Sequence, residues 1–204
     1  MKTLIKRREI PAGNPVSDNA LLDRLYRSRH IKNSQELDRT LQSMLNPNQL
    51  HGIQQAVDLL VDAYQRQQKI VIVGDFDADG ATSTALSVLA LRMLGFTDVE
   101  YLVPNRFEQG YGLSVLVAEM AMEKGVQLLM TVDNGVSSFE GVAYLKEQGV
   151  KVLITDHHLP PEILPNADAI VNPNLQQCDF PSKCLAGVGL SLIHISEPTR
   201  RRGI

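Results

Sequence analysis

Ile70-Val71-Ile72-Val73-Gly74-Asp75-Phe76-Asp77-Ala78-Asp79-Gly80 is the stretch that decides the fold. Four β-branched residues closed by a glycine read as a short buried strand. The strand runs straight into a loop with a carboxylate at every second position. Residues 81–94 then read as a helix, stopped by Gly95. The same alternation continues downstream. Strands are predicted at 99–103, 126–132, 150–154 and, shorter, at 169–171. Helices are predicted at 113–124 and 138–148, each ended by a glycine, Gly125 and Gly149. Strands alternating with helices of this length specify an α/β fold, a parallel sheet with helices on both faces. Upstream, residues 18–30, 33–45 and 51–68 read as helices. Asn33 with Glu36 forms a capping box, with Leu37, Leu41 and Leu45 at helical spacing behind it. The expected organisation is a helical segment over 1–48, an α/β domain over 49–189 and a tail over 190–204.

The polar residues gather at one place on this framework. The first strand leads into Asp75, Asp77 and Asp79. The second leads into Pro104-Asn105-Arg106, the third into Asp133-Asn134-Gly135, and the fourth into Asp156-His157-His158. Ligands bind at the carboxyl ends of strands in open α/β sheets. Five carboxylates cannot share a small site unneutralised, because like charges force protonation. Divalent cations resolve the conflict. Carboxylate plus imidazole without thiolate suits Mn²⁺ or Mg²⁺, and paired divalent ions are a standard device for phosphoester hydrolysis.

Rival readings of the first loop fit less of the sequence. An EF-hand loop starting at Asp75 needs an acidic residue where Leu86 stands, and a strand precedes it in place of a helix. An Asp-x-Asp phosphatase with an aspartyl nucleophile leaves Asp133 and Asp156-His157-His158 without a role. Neither a G-x-G-x-x-G nor a G-K-[ST] nucleotide loop occurs.

Composition bounds the rest. The 204 residues carry 44% hydrophobic and 21% charged side chains, ordinary for a globular chain. No apolar run reaches the roughly 18 residues of a membrane span. The basic start, Met1 to Arg8, lacks the apolar stretch of a secretory signal. Cys178 and Cys184 have no zinc-type partners, so reduced thiols and a cytoplasmic setting are expected. Net charge is −3, unevenly spread: residues 1–40 carry nine Lys/Arg against five Asp/Glu, and 191–204 three against one. The middle is therefore acidic, and an acidic block handling an acidic substrate needs cations between them.

The set Gly74–Gly80, Val132-Asp133-Asn134-Gly135 and Asp156-His157-His158 resembles motifs I, II and III of the DHH phosphoesterases. Val103-Pro104-Asn105-Arg106-Phe107 with Gly110-Tyr111-Gly112, Ile170-Val171-Asn172-Pro173-Asn174 and Leu185-Ala186-Gly187-Val188-Gly189 narrow the likeness to the bacterial single-strand-specific exonucleases of that family. The resemblance implies two divalent cations, Mn²⁺ or Mg²⁺, held by Asp75, Asp77, Asp79, Asp133 and His157, with Asp133 bridging. It implies that His158, beside Asp156, contacts substrate or delivers a proton; an orienting role for His158 remains the alternative. Arg106 would grip a phosphate, with Asn105 and Tyr111 nearby. Gly187 would let backbone approach the substrate, or serve as a turn glycine. The implied reaction is 5′-to-3′ hydrolysis of single-stranded DNA in repair and recombination by a monomer, with a helicase or single-strand-binding protein as further partner. Oligonucleotide, cyclic-dinucleotide and pyrophosphate hydrolysis are the alternatives within the family, and a non-catalytic metal-binding stub outside it.

Residues 190–204 contain no helical period, and Pro198 breaks the segment. They resemble translated sequencing-adaptor DNA. The family's motif IV aspartate and second domain are then expected to be missing, and the 204-residue chain to turn over little or nothing.

Overall fold

The computed structural model describes residues 9–38, 40 and 43–192. The chain divides into two compact units, one up to Leu45 and one from Asn46.

The first unit is built on α1 (Ala20–Arg27). The Asn19 side chain caps it by accepting from the N–H groups of Leu21 and Leu22. Of the predicted helix over 33–45, the described residues form only short turns, and residues 39, 41 and 42 lie outside the described residues. Asn33 and Glu36 do make a reciprocal capping box, but it closes only a 3₁₀ turn, Ser34–Leu37, and Asp38 returns to extended backbone. None of the four turn residues is buried. A cap removes two unsatisfied donors; it does not propagate a helix whose first turn buries no side chain.

The second unit runs α2 (Ile53–Gln65), β1 (Ile70–Val73), α3 (Ala78–Met93), β2 (Val99–Leu102), α4 (Arg106–Gln109), α5 (Val115–Glu123), β3 (Leu128–Val132), α6 (Phe139–Glu147), β4 (Lys151–Thr155) and β5 (Ala169–Val171). All five strands are parallel, in the order β2-β1-β3-β4-β5. Side chains alternate across the pleat and so sort the core into two halves. Ile70, Ile72, Leu128, Met130 and Leu153 pack with Leu60 of α2 and Leu91 of α3. Val71, Val73, Leu129, Val152 and Ile154 pack with Val117 of α5 and Leu145 of α6. Strand β1 lies inside the sheet, between β2 and β3, and is buried on both faces, as its unbroken apolar run requires.

From β1 the chain crosses to β2 over one face, and from β2 to β3 over the other. The crossover direction reverses there, so the loops that leave β1 and β3 run to opposite faces of the sheet and leave a crevice between them. Helix α3 begins three residues earlier than the periodicity indicates. Asp77 is its N-cap, accepting at 3.0 Å from both Asp79 N and Gly80 N. Residues 187–192 are helical, with Leu190 and Ser191 buried, so the helix enters the expected tail; residues 193–204 lie outside the described residues. Cys178 is buried and Cys184 exposed, both free. Among the described residues no helix is long and apolar enough to cross a membrane.

One position tests how tightly α2 is seated. Gly52, its N-cap, has φ +79°, and a Cβ there would stand 2.1 Å from the Ile170 carbonyl oxygen of β5. Gly52→Ala is expected to cost more than about 2 kcal/mol, from strain plus overpacking against backbone that cannot yield. Urea denaturation would measure it; a loss under 0.5 kcal/mol, roughly the size of an ordinary surface change, would mean α2 shifts freely.

Candidate metal centre

Asp75 follows β1 and is buried. Its Oδ1 accepts from Phe76 N at 2.7 Å, and its Oδ2 receives Arg106 Nη2 at 2.5 Å. Arg106 comes from the first turn of α4, which Asn105 caps through a bond from Phe107 N. The guanidinium lies between two rings, 4.1 Å from the centroid of Phe76 and 4.8 Å from that of Tyr111. Stacking and the ion pair together fix its orientation.

Asp133 follows β3 with φ +62° and is 3% exposed. Burial, and then the charge of Asp79, push its carboxyl up to about 6. His157 Nε2 lies 2.9 Å from Asp133 Oδ1 and 3.7 Å from Asp79 Oδ2. The other ring nitrogen, Nδ1, is 2.8 Å from the Leu185 carbonyl oxygen. A carbonyl only accepts, so Nδ1 carries a proton, and in the neutral imidazole Nε2 presents a lone pair. In that tautomer Asp133 Oδ1 is a buried acceptor without a donor. Two lone pairs meeting at this distance, in a site lined by carboxylates, fit a cation between them.

Potential ligand atoms lie within 4.8 Å of one another in two groups: Asp75, Asp77 and Asp133, and Asp133, His157 and His158. Asp133 belongs to both. Asp79 is placed differently. Its Oδ2 accepts from Gly187 N and its Oδ1 from Val188 N, both at 2.8 Å.

Asp156 stands behind the histidines. Its Oδ2 accepts from Val136 N at 2.9 Å. Its Oδ1 accepts from His157 N at 2.7 Å, His158 N at 3.0 Å and His158 Nδ1 at 2.7 Å. Both oxygens are occupied, so Asp156 orients His158 and does not itself face the crevice. Burial acts to raise the Asp156 pKa, but the His158 side chain and the backbone donors outweigh it and hold the group below its usual value. The same bond raises the His158 pKa against the opposing effect of burial. His158 Nε2 faces Tyr111 Oη at 3.4 Å. Burial, with the charges of Asp156, Asp75 and Asp133, raises the Tyr111 pKa and keeps its phenol protonated.

Four supports have no role in the sequence reading. Asn134 Nδ2 donates to the carbonyls of Val73 and Val132, tying the ends of β1 and β3 together. Asn172 Nδ2 donates to the His158 carbonyl at 2.9 Å, and Asn174 Nδ2 to that of His157 at 2.5 Å. The Asn-Pro-Asn turn chemistry after β5 was the available signal for the last two. Leu185 acts through its backbone, which no side chain announces.

Fold and site define a doubly wound α/β protein with a carboxylate–imidazole centre at the β1/β3 switch point. Residues 69–203 match the DHH family, N-terminal domain. The chain belongs to the DHH family. It is 82% identical over 191 residues to the single-stranded-DNA-specific exonuclease RecJ of Haemophilus influenzae, covering 94% of this chain and 33% of the relative. The RecJ of Escherichia coli is 53% identical over 92% of this chain, again 33% of the relative. A crystal structure of exonuclease RecJ bound to manganese superposes with a TM-score of 0.71 at 34% identity, covering 79% of this chain and 40% of that one. The chain thus spans about a third of the length of these curated relatives.

Proposed function

We propose that this chain supplies the metal-binding half of a 5′-to-3′ exonuclease that hydrolyses phosphodiesters of single-stranded DNA with two divalent cations, Mn²⁺ or Mg²⁺. The observation that carries the reading is the pair of ligand groups sharing Asp133 at the β1/β3 crevice. The exonuclease names of its relatives and the manganese of a related structure support it. Asp75, Asp77, Asp79, Asp133 and His157 hold the metals. Bound cations would neutralise the clustered carboxylates and lower the pKa of the attacking water.

Arg106, fixed between Phe76 and Tyr111, holds a substrate phosphate through donors that Asp75 leaves free. Asn105 supports it by capping α4. His158, aligned through Nδ1 by Asp156, exchanges a proton with the substrate at Nε2, where Tyr111 also reaches. The working setting is cytoplasmic repair and recombination, with a monomer acting on strands opened by a helicase or covered by a single-strand-binding protein.

The test is digestion of 5′- and 3′-labelled single strands and duplex by this chain extended to the length of its relatives. Mn²⁺-dependent release from the 5′ end of single strands is expected, with at least a thousandfold loss in His157→Ala, roughly what removal of a metal ligand at the reacting centre costs. Full activity in that variant, or attack on duplex alone, would overturn the reading.

A further inference from the structure

Residues 185–188 touch three of the five candidate ligands, and every polar contact is made by backbone. The Leu185 carbonyl accepts from His157 Nδ1 at 2.8 Å. The N–H groups of Gly187 and Val188 each donate to one oxygen of Asp79 at 2.8 Å. Gly187 is buried against Asp133, close enough that a Cβ would lie 3.0 Å from Asp133 Cβ and Oδ1. The helix that contains these donors begins at Gly187, so Asp79 also neutralises its first turn.

We propose that the backbone of Leu185–Val188 is a positioning strap for the metal centre, coupling metal loading to the order of the helix that begins at Gly187. The proposal rests on the metal-centre reading above. The physical case is one of compatibility. A carboxylate has about four lone-pair directions, and the strap uses one on each oxygen of Asp79. The two backbone bonds fix the plane of the carboxylate and leave lone pairs for a cation. The Leu185 carbonyl fixes the His157 tautomer in the form that presents Nε2. The strap and a metal therefore prefer the same arrangement of Asp79 and His157, and each favours the other's binding by the same factor.

The strap contributes no distinctive side chain, so glycine at 187 acts here through close approach and its N–H donor. That differs from a direct role toward substrate. It also places the strap's donors 108 and 109 residues away from the carboxylate they serve.

The experiment uses the 204-residue chain and Mn²⁺ alone. Hydrogen exchange is followed at the amides of residues 185–192 with and without saturating Mn²⁺, and Mn²⁺ affinity is measured by calorimetry. Protection at Gly187 and Val188 is expected to rise at least tenfold on metal binding, the size of effect seen for orienting partners of metal ligands. Val188→Pro deletes one donor in the first turn, where proline's ring is tolerated; Val188→Ala keeps it. The proline variant is expected to bind Mn²⁺ at least about tenfold more weakly than the alanine variant. Gly187→Pro against Gly187→Ala repeats the comparison for the other donor, with the Cβ present in both. Protection that falls or stays constant on adding Mn²⁺ would overturn the coupling without need of any variant. Equal affinities within each Pro/Ala pair would overturn the positioning role. A wild-type chain that binds no Mn²⁺ would instead overturn the metal-centre reading itself, a separate result.

Discussion

Asparagine in place of Asp133 is expected to weaken Mn²⁺ binding by about a hundredfold or more, beyond the 10–100-fold typical of lost orienting contacts, while making the metal-free chain more stable. The substitution Asp133→Asn keeps shape and backbone. Asp133 sits at φ +62°, a region asparagine occupies readily and alanine does not. It removes the one carboxylate common to both ligand groups. Without metal that carboxylate is a liability, buried and facing Asp79, and its carboxyl titrates at about 6 against 3.8 when free. An acid whose folded pKa is raised destabilises the fold fully above the folded value and not at all below the unfolded one. The stabilisation gained by Asp133→Asn is therefore largest above pH 6 and fades as the pH falls towards 4. Calorimetric melting of both proteins in chelator at pH 5 and pH 8, with Mn²⁺ titrations at pH 8, measures both effects. Unchanged Mn²⁺ affinity would remove Asp133 from the centre.

The second large effect is structural. Asp156→Ala is expected to cost roughly 3–5 kcal/mol, the range for breaking a buried charged network, or about 6–20 °C in melting temperature for a chain of this size. Asp156 is 1% exposed, and its carboxylate accepts from Val136 N, His157 N, His158 N and His158 Nδ1. Alanine leaves all four donors unpaired, two of them at the backbone that aims the histidines. Asp156→Asn should recover part of the loss, since one amide oxygen still accepts while the NH₂ opposes a donor. The pH dependence follows from the opposed shifts. Asp156 has a lowered pKa, so its contribution is present above 3.8 and lost as the pH falls through the folded value. His158 has a raised pKa, so its contribution is complete below 6.5 and lost as the pH rises through the folded value. The difference between wild type and variant should peak between about pH 4 and 6.5. A variant melting within 2 °C of wild type across that window would show that the four contacts are not maintained in solution.

The sequence by itself determined the layers and the location of the centre. An unbroken apolar strand at 70–73, helices stopped by Gly95, Gly125 and Gly149, and acidic or imidazole residues after each strand that feeds the centre all follow from local periodicity. Chain direction in a parallel sheet then puts those residues on one edge. Local signals misled where burial decided the outcome. The capping box at Asn33 reads as the start of a long helix, yet it closes a 3₁₀ turn, Ser34–Leu37, that buries no residue. Asp77 reads as a ligand alone, and its capping of α3 moves the helix start to Ala78.

Only the tertiary structure decided the partnerships. Strand order puts β1 beside β3, so Asp75 and Asp133 share a crevice although they stand 58 positions apart in sequence. Asp79 meets the N–H groups of Gly187 and Val188, His157 meets the carbonyl of Leu185, and Asp156 meets the N–H of Val136. Every residue but proline carries a backbone acceptor and a donor, so residue identity cannot say which of them a given side chain finds. That choice is made by the packing of the sheet and the strap, which sets distances that no local pattern encodes.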